Sequence, residues 1–585
     1  MTYETTSGRE PIVIVEIEQD FCGLTYGVPP CMATAGNKCY KTLATCRSPE
    51  SYDKGEPLRL RFTYPRDDIS RVSETLIPSL VSVSTNPAKL NVGAGDRNVS
   101  PLGVRASVAV VLQDHPYHDR LTDPHHADRA AAAQGTFWAR WKARNPYYSG
   151  RLMHIYEGYI GQELAAMQKR TYVIEKLAGP DGSGRVSIKG LDILRKTDDT
   201  KAQAPRQSEG VLLNDISDSD VSFEVGPEGE GDNYPAAGLA RIGSEIIEYT
   251  RAGDVFTVVE RGARNTEAKS HKAEDSVQVC LEYDDVRVDS IIYDLLVNYS
   301  GIPASMIDYD DWEDEADVWL AGQGLTAVIA EPTGVAKLLA ELSEQGRCYI
   351  WWDEYAQKVR FRAIRPPSNV AGETVPVLTD DANMIADSVA VNDAADQRLS
   401  RIIIRYASVD PTKKVDDATN YSRIRVIADL DAETADQYGE SKTKIINARW
   451  LAADAAADTV IIGTRILSRY RNNPETVDLA VDAKDREITL ADTIDIITAG
   501  ITDETGAPFR RRYQVIEAEE IDPGHRMRYT VQRSFFSVDA RYGGFMRNDA
   551  PVYAYASDED KAIGAYFVDE ATLLFPDGTG PYRFA

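Results

Sequence analysis

What the chain lacks narrows its function first. No apolar run approaches the roughly 18 residues of a membrane-spanning helix, so no membrane insertion is expected. The opening Met-Thr-Tyr-Glu-Thr-Thr-Ser-Gly-Arg-Glu has neither the basic nor the apolar region of a secretory signal. Assembly in a reducing cytoplasm is therefore expected, where paired disulfides rarely persist. Basic residues are in deficit: 65 Lys and Arg stand against 92 Asp and Glu, a net charge of −27. That balance argues against a sequence-reading nucleic-acid binder, which needs a basic footprint. It fits plain solubility, or a channel wall that repels passing phosphates. Catalytic signatures are missing too. There is no Gly-x-Ser-x-Gly elbow. The glycine-rich Gly226–Gly238 stretch has no Gly-Lys-Ser/Thr and does not open a helix after a strand. No enzyme activity is expected.

Cysteine is scarce and unevenly placed. Four of the six fall within one short stretch: Cys22, Cys31, Cys39 and Cys46, separated by eight, seven and six residues. Pro29-Pro30 and Gly36-Asn37 are turn formers that let the stretch fold back and point four sulfurs inward. Two disulfides, a zinc site and an iron–sulfur cluster are all open on spacing alone. Zinc usually brings a knuckle with two to four residues between cysteines, and none is present. Cys39–Cys46 reads as helical, and seven helical residues rise about 10.5 Å. Thiolates on one zinc lie within about 4 Å of each other. A cluster tolerates more spread, but the helix must still break before Cys46. Lys38, Lys41 and Arg47 would offset thiolate charge. Cys280 and Cys348 lie on apolar strands and read as buried small hydrophobes.

Two other groups of ligand-type residues read as ordinary surface. His115, His118, Asp123, His125, His126 and Asp128 surround two prolines without the helical His-Glu-x-x-His spacing of a metal site. Asp308, Asp310, Asp311, Glu313, Asp314, Glu315 and Asp317 form a dense acidic run without the glycine and final glutamate of a calcium loop. The run is a candidate lumen-facing patch.

Length predicts about three to five domains, and apolar periodicity predicts a mainly β chain with α+β parts. Strand-length runs recur at Ile12–Glu18, Leu58–Tyr64, Val81–Ser84, Ala106–Leu112, Met153–Tyr159, Arg170–Leu177 and Arg185–Gly190. The cysteines thus sit between two strands of a first β-domain, 1–200. A small β-domain follows at 205–284, with strands over Leu239–Thr250 and Val255–Glu260. An α+β domain spans 285–370, with helices near 286–300 and 334–345, the second capped by Thr333 and ended by Gly346. Residues 371–585 carry further strands and a helix near 448–471.

Cys39-Tyr-Lys-Thr-Leu-Ala-Thr-Cys46-Arg47, with Cys22 and Cys31 upstream, resembles the cysteine segment of hub and minor tail proteins of siphophages and gene transfer agents. The phage lambda minor tail protein L family is the best-known case. Gly135–Trp138, Ala143–Tyr148 and Gly150-Arg151 are similar to the same family. Arg261–Thr266 with His271 resembles a small β-domain common in phage tail proteins, and Leu490–Ile497 and Phe575–Tyr582 resemble segments of phage hub and tail-tip proteins. In many relatives a Phe- and Gly-rich stretch follows the last cysteine; here Ser48–Gly55 follows instead. The resemblance implies two related hub β-barrels, the first at 1–200 and the second within 371–585, with an inserted cluster-binding segment and small β-domains. It implies that Cys22, Cys31, Cys39 and Cys46 hold an iron–sulfur cluster, commonly [4Fe–4S], with zinc as the alternative. It also implies a homotrimeric baseplate hub in the virion tail, ringed around DNA in transit. The expected neighbours are a distal tail protein ring, the tape measure protein C-terminus and a central fibre or tail-tip protein. A receptor-binding or cell-wall-degrading tail-tip protein is the runner-up, and an iron–sulfur enzyme stands behind it.

Overall fold

A computed structural model of the chain describes residues 10–32, 39–67, 74–92, 96, 99–117, 135–367, 373–485, 487–522, 526–536, 542–543, 551–563, 566, 568–569, 572, 574–578, 580 and 583–584. Its architecture is mainly β, in several sheets with few helices.

The first sheet is built from β1 (Pro11–Gln19), β2 (Leu58–Phe62), β3 (Leu80–Asn86), β4 (Ser107–Gln113), β5 (Leu152–Tyr159), β6 (Gln168–Ala178) and β7 (Arg185–Leu191). These pair antiparallel in the order β2-β1-β5-β6-β7-β4-β3. Strict alternation explains the sidedness: Val108, Val110 and Leu112 of β4 and Val186 and Ile188 of β7 point inward. The sheet closes on itself where the Thr63 amide donates to Ile77 O (3.0 Å) and the Leu80 amide donates to Thr63 O (2.9 Å). Helix α1 (Phe137–Arg144) packs Phe137, Trp138 and Trp141 into the same core.

The small β-domain orders its strands β8-β9-β12-β11-β10-β13. They are β8 (Val211–Leu212), β9 (Ser222–Gly226), β10 (Ala237–Ile242), β11 (Glu245–Ala252), β12 (Val255–Glu260) and β13 (Val277–Val279). The run expected as one strand over Leu239–Thr250 is two, because Gly243 takes φ 58° and turns the chain. The glycine-rich stretch before it binds the chain's own carboxylate. The Gly229 and Gly231 amides donate to Asp254 Oδ2 and Oδ1, both at 2.7 Å.

Next come β14 (Leu281–Val286), α2 (Val288–Asp294), α3 (Tyr309–Trp319), β15 (Leu325–Ile329), α4 (Val335–Gln345) and the hairpin β16 (Cys348–Asp353) with β17 (Lys358–Ala363). Thr333 does not cap α4 through its side chain. Gly334 is the N-cap, and Thr333 is drawn into a two-residue ladder with Ala204. The core of this region runs on past residue 370. Val288, Leu338 and Trp352 share one apolar cluster with Ile402, Trp450 and Ile466. Those later residues come from the sheet of β20 (Arg401–Ser408), β21 (Tyr421–Ala428) and β22 (Thr443–Ala448), covered by α5 (Ala456–Tyr470). The boundary expected after residue 370 therefore divides the sequence but not this apolar cluster.

A second large sheet has the order β18-β24-β25-β26-β23-β19. It uses β18 (Val377–Thr379), β19 (Ala390–Asp393), β23 (Glu475–Asp482), β24 (Thr493–Ile497), β25 (Arg511–Asp522) and β26 (Arg526–Arg533), around Leu479, Ile494, Tyr513 and Val531. It meets the first barrel directly. The Leu90 amide donates to Ile516 O at 2.8 Å, and Lys89 forms an antiparallel backbone β-bridge with Glu517.

Candidate metal centre

The cysteine segment leaves β1 and returns to β2, and it is fastened at both ends by backbone. The Cys22 amide donates to Lys41 O (2.8 Å), Gly23 to Asp53 O (3.0 Å) and Gly55 to Phe21 O (3.0 Å). Lys41, at φ 62°, turns its ammonium back to donate to Cys22 O at 3.3 Å and to Leu24 O. Thr42 Oγ1 donates to Arg144 O at 2.8 Å, and the Arg144 guanidinium lies 3.9 Å over Tyr40. These contacts seat the segment on the end of α1, so the barrel positions the sulfurs.

The helix expected over Cys39–Cys46 shrinks to a single 3-10 turn, Leu43–Thr45, and Cys46 is already extended (φ −65°, ψ 136°). Threonine chemistry explains this. Tyr40 N donates to Thr45 Oγ1 (3.1 Å) and Thr45 Oγ1 donates to Thr42 O (3.2 Å), local bonds that compete with a helix. The expected break before Cys46 is thus present.

Cys22 and Cys39 are buried, and Cys31 and Cys46 are half-buried. Cys31 ends a turn in which its amide donates to Val28 O (2.9 Å). One residue here escaped sequence reasoning. The Tyr52 hydroxyl is buried with no hydrogen-bond partner among the described residues. Burial, then the charges of Asp20, Cys22 and Cys46, push it up to about 12, against the opposing pull of Arg151. Its only signal in the sequence was its place six residues beyond the last cysteine.

Thiols are the donor type that an iron–sulfur cluster takes, and Cys22 and Cys46 both act on the Tyr52 hydroxyl. Among the described residues no three thiols lie within 4.8 Å of one another.

Other ligand-type groups resolve into packing or ion pairs. His118, Asp123, His125, His126 and Asp128 lie outside the described residues. His115 stacks on Phe137 with ring centres 5.5 Å apart. Glu16, Glu18 and His154 gather three ligand atoms on the outer face of β1 and β5. Their charges are already matched, by Arg61 at 2.6 Å from Glu16 and Arg59 at 3.4 Å from Glu18. The acidic run became α3 and is partly neutralised. Asp308 pairs with Lys358 (2.5 Å), Asp311 with Arg360 (3.5 Å), Glu315 with Arg365 (2.7 Å) and Asp317 with Arg287. Asp310, Glu313 and Asp314 stay exposed.

No family model matches the sequence, and no curated protein matches it. Among solved structures the chain is similar to a tail protein from Neisseria meningitidis MC58, at 11% identity and a TM-score of 0.34, over 74% of this chain and 88% of that one. It is similar to the prophage MuSo2 43 kDa tail protein from Shewanella oneidensis, at 11% identity and a TM-score of 0.35, over 78% and 98%. A chain of a native gene transfer agent virion is also similar, at 12% identity and a TM-score of 0.30, over 59% and 93%.

Proposed function

We propose that the chain is a structural tail protein, the baseplate hub at the distal end of a long non-contractile phage or gene-transfer tail. Three copies would form a ring around the DNA channel, and Cys22, Cys31, Cys39 and Cys46 would hold a structural iron–sulfur cluster. The observation that carries this reading is the cysteine segment: four cysteines, on a stretch resembling that of tail hubs, in a loop fastened to a β-barrel. The second large sheet supports it. Two barrel-like bodies joined at Leu90–Ile516 give three copies six such bodies, the number needed to continue a sixfold tube.

The cluster's contribution is mechanical. The span from Cys22 to Cys46 has one 3-10 turn and, among its described residues, few buried apolar side chains. Cross-linking four points of such a stretch supplies the order that a core would otherwise supply. The carboxylate surplus would let DNA pass through the bore without being held. The expected neighbours are the distal tail ring, the tape measure protein C-terminus and a central fibre. A Cys39→Ser chain tests the structural role. It should load less iron, expose the 20–55 segment to protease and assemble few particles. Normal assembly and normal infectivity from that variant would contradict the proposal.

A further inference from the structure

In a chain of net charge −27, one cavity has the opposite sign. It is a cleft of about 430 Å³ where the end of α5, the loop before β25 and the end of β26 meet. That size suits a small ligand, whose pockets run from about 300 to 1,000 Å³. Six arginines line it: Arg469, Arg471, Arg510, Arg511, Arg512 and Arg533. Two carboxylates answer them. Asp495 holds Arg510 (2.5 Å) and Arg512 (3.0 Å), and Glu475 holds Arg511 (2.8 Å). Arg471 and Arg533 are exposed, and among the described residues neither has a carboxylate within ion-pair distance.

Arg469 makes the imbalance costly. It is 8% exposed and, among the described residues, sits on neutral acceptors only, Gln532 Oε1 at 2.8 Å and Gln514 Oε1 at 3.0 Å, with Nη2 unpartnered there. A buried cation without an opposite charge is strongly unfavourable, so an arriving anion is attracted more strongly here than at the open surface. Every cation in the cleft is a guanidinium, the group whose fork matches phosphate oxygens in pairs. An aromatic wall stands next to them. Phe509 is 48% exposed beside Arg510, and the Phe535 and Phe536 rings lie 4.1 Å apart.

We propose that this cleft binds a phosphate group joined to an unstacked nucleobase, as in a nucleotide or a single strand. The guanidiniums would take the phosphate and Phe509 or Phe535 the base. Exposed aromatics beside arginines are how proteins hold single strands without reading sequence. A duplex keeps its bases stacked inside and offers only half of this chemistry. The site is one pocket and leaves the charge of the bore unchanged, so its fate is independent of the hub assignment.

The test uses the full chain and a fluorescent six-nucleotide thymidine strand at about 50 mM salt, where phosphate contacts are strong. Binding is expected, with displacement by thymidine monophosphate and more weakly by inorganic phosphate, and duplex of the same length at least tenfold weaker. Arg471→Glu with Arg533→Glu, both exposed positions, should weaken the strand tenfold or more with the melting temperature unchanged. Phe509→Ala should weaken the strand but leave displacement constants for inorganic phosphate intact. That split still tests the proposal if the charge reversal disturbs folding. No binding, binding indifferent to these changes, or displacement by hexaglutamate as effective as by phosphate would overturn it.

Discussion

Gly23 and Gly55 pass with their backbones in contact: a Cβ on Gly55 would lie 2.9 Å from both Gly23 Cα and Gly23 N. Only glycine lets the two ends of the cysteine segment close to this distance, and both ends are backbone, which cannot swing aside. Gly55→Ala should therefore loosen the segment at a local cost of about 1–3 kcal/mol. The expected result is faster proteolysis between residues 20 and 55 and lower iron content, with the barrel's melting unchanged. Unaltered proteolysis would mean the crossing has little role.

The small β-domain has a pH limit built around Glu245, whose side chain is fully buried. Burial alone would raise this carboxyl, but His271 Nε2 at 2.7 Å, Arg261 and the Lys269 and Gly262 amides outweigh it and hold it at about 2. A lowered carboxyl stabilises the fold above its unfolded value of 4.5 and loses that contribution as pH falls toward about 2. Hydrogen exchange across 205–284 should accelerate in that window. Glu245→Gln should remove most of the pH dependence and destabilise the domain by about 3–5 kcal/mol at neutral pH.

Arg170 ties three regions together. It bonds Glu157 on the first barrel and Glu520 on the second large sheet (2.9 Å), and lies 4.0 Å from Glu354 on the β16–β17 hairpin. Burial raises the carboxyls of Glu157 and Glu354 above 4.5. Their ionised forms therefore burden the fold at neutral pH, and protonation lifts that burden as pH falls. Arg170→Met should cost about 3–5 kcal/mol at neutral pH and less as pH approaches 4.5, read as melting temperature against pH. A cost that grew with acidity would contradict this account.

Cys280 and Cys348 should stay unreactive in the native protein. Burial pushes the Cys280 thiol up to about 12 and raises Cys348 as well. Native alkylation followed by mass spectrometry should leave both unlabelled, and replacing both with alanine should not change iron content.

Much of the fold was legible because period-two burial writes itself into sequence. β1, β4, β5 and β7 fall within a residue or two of the strand-length apolar runs, and β4 and β7 bury every second side chain. What misled was chemistry between neighbours. Gly243 split a run that looked continuous. Thr42 and Thr45 dissolved a stretch of good helix formers. Thr333 was claimed by Ala204, distant in sequence. α5 starts at Ala456 because residues 443–448 finish a strand whose partner lies at 401–406.

At the site, the four cysteines and the need for a break before Cys46 could be read directly. Tyr52 could not, since its significance comes from a buried hydroxyl within reach of Cys22 and Cys46 and not from its neighbours in sequence. The arginine cleft was half visible. Arg510-Arg511-Arg512 is a conspicuous run in an acidic chain, but Arg469 and Arg533 reach it only through α5 and β26. Overall net charge concealed a local reversal of sign.

The central claim, that Cys22, Cys31, Cys39 and Cys46 hold an iron–sulfur cluster, is tested most directly by iron, zinc and acid-labile sulfide analysis of anaerobically purified full-length protein. The account predicts a brown protein with iron and sulfide in equal amounts and both lost in Cys39→Ser. Zinc without iron, or a metal-free chain with those cysteines paired as disulfides, would contradict it.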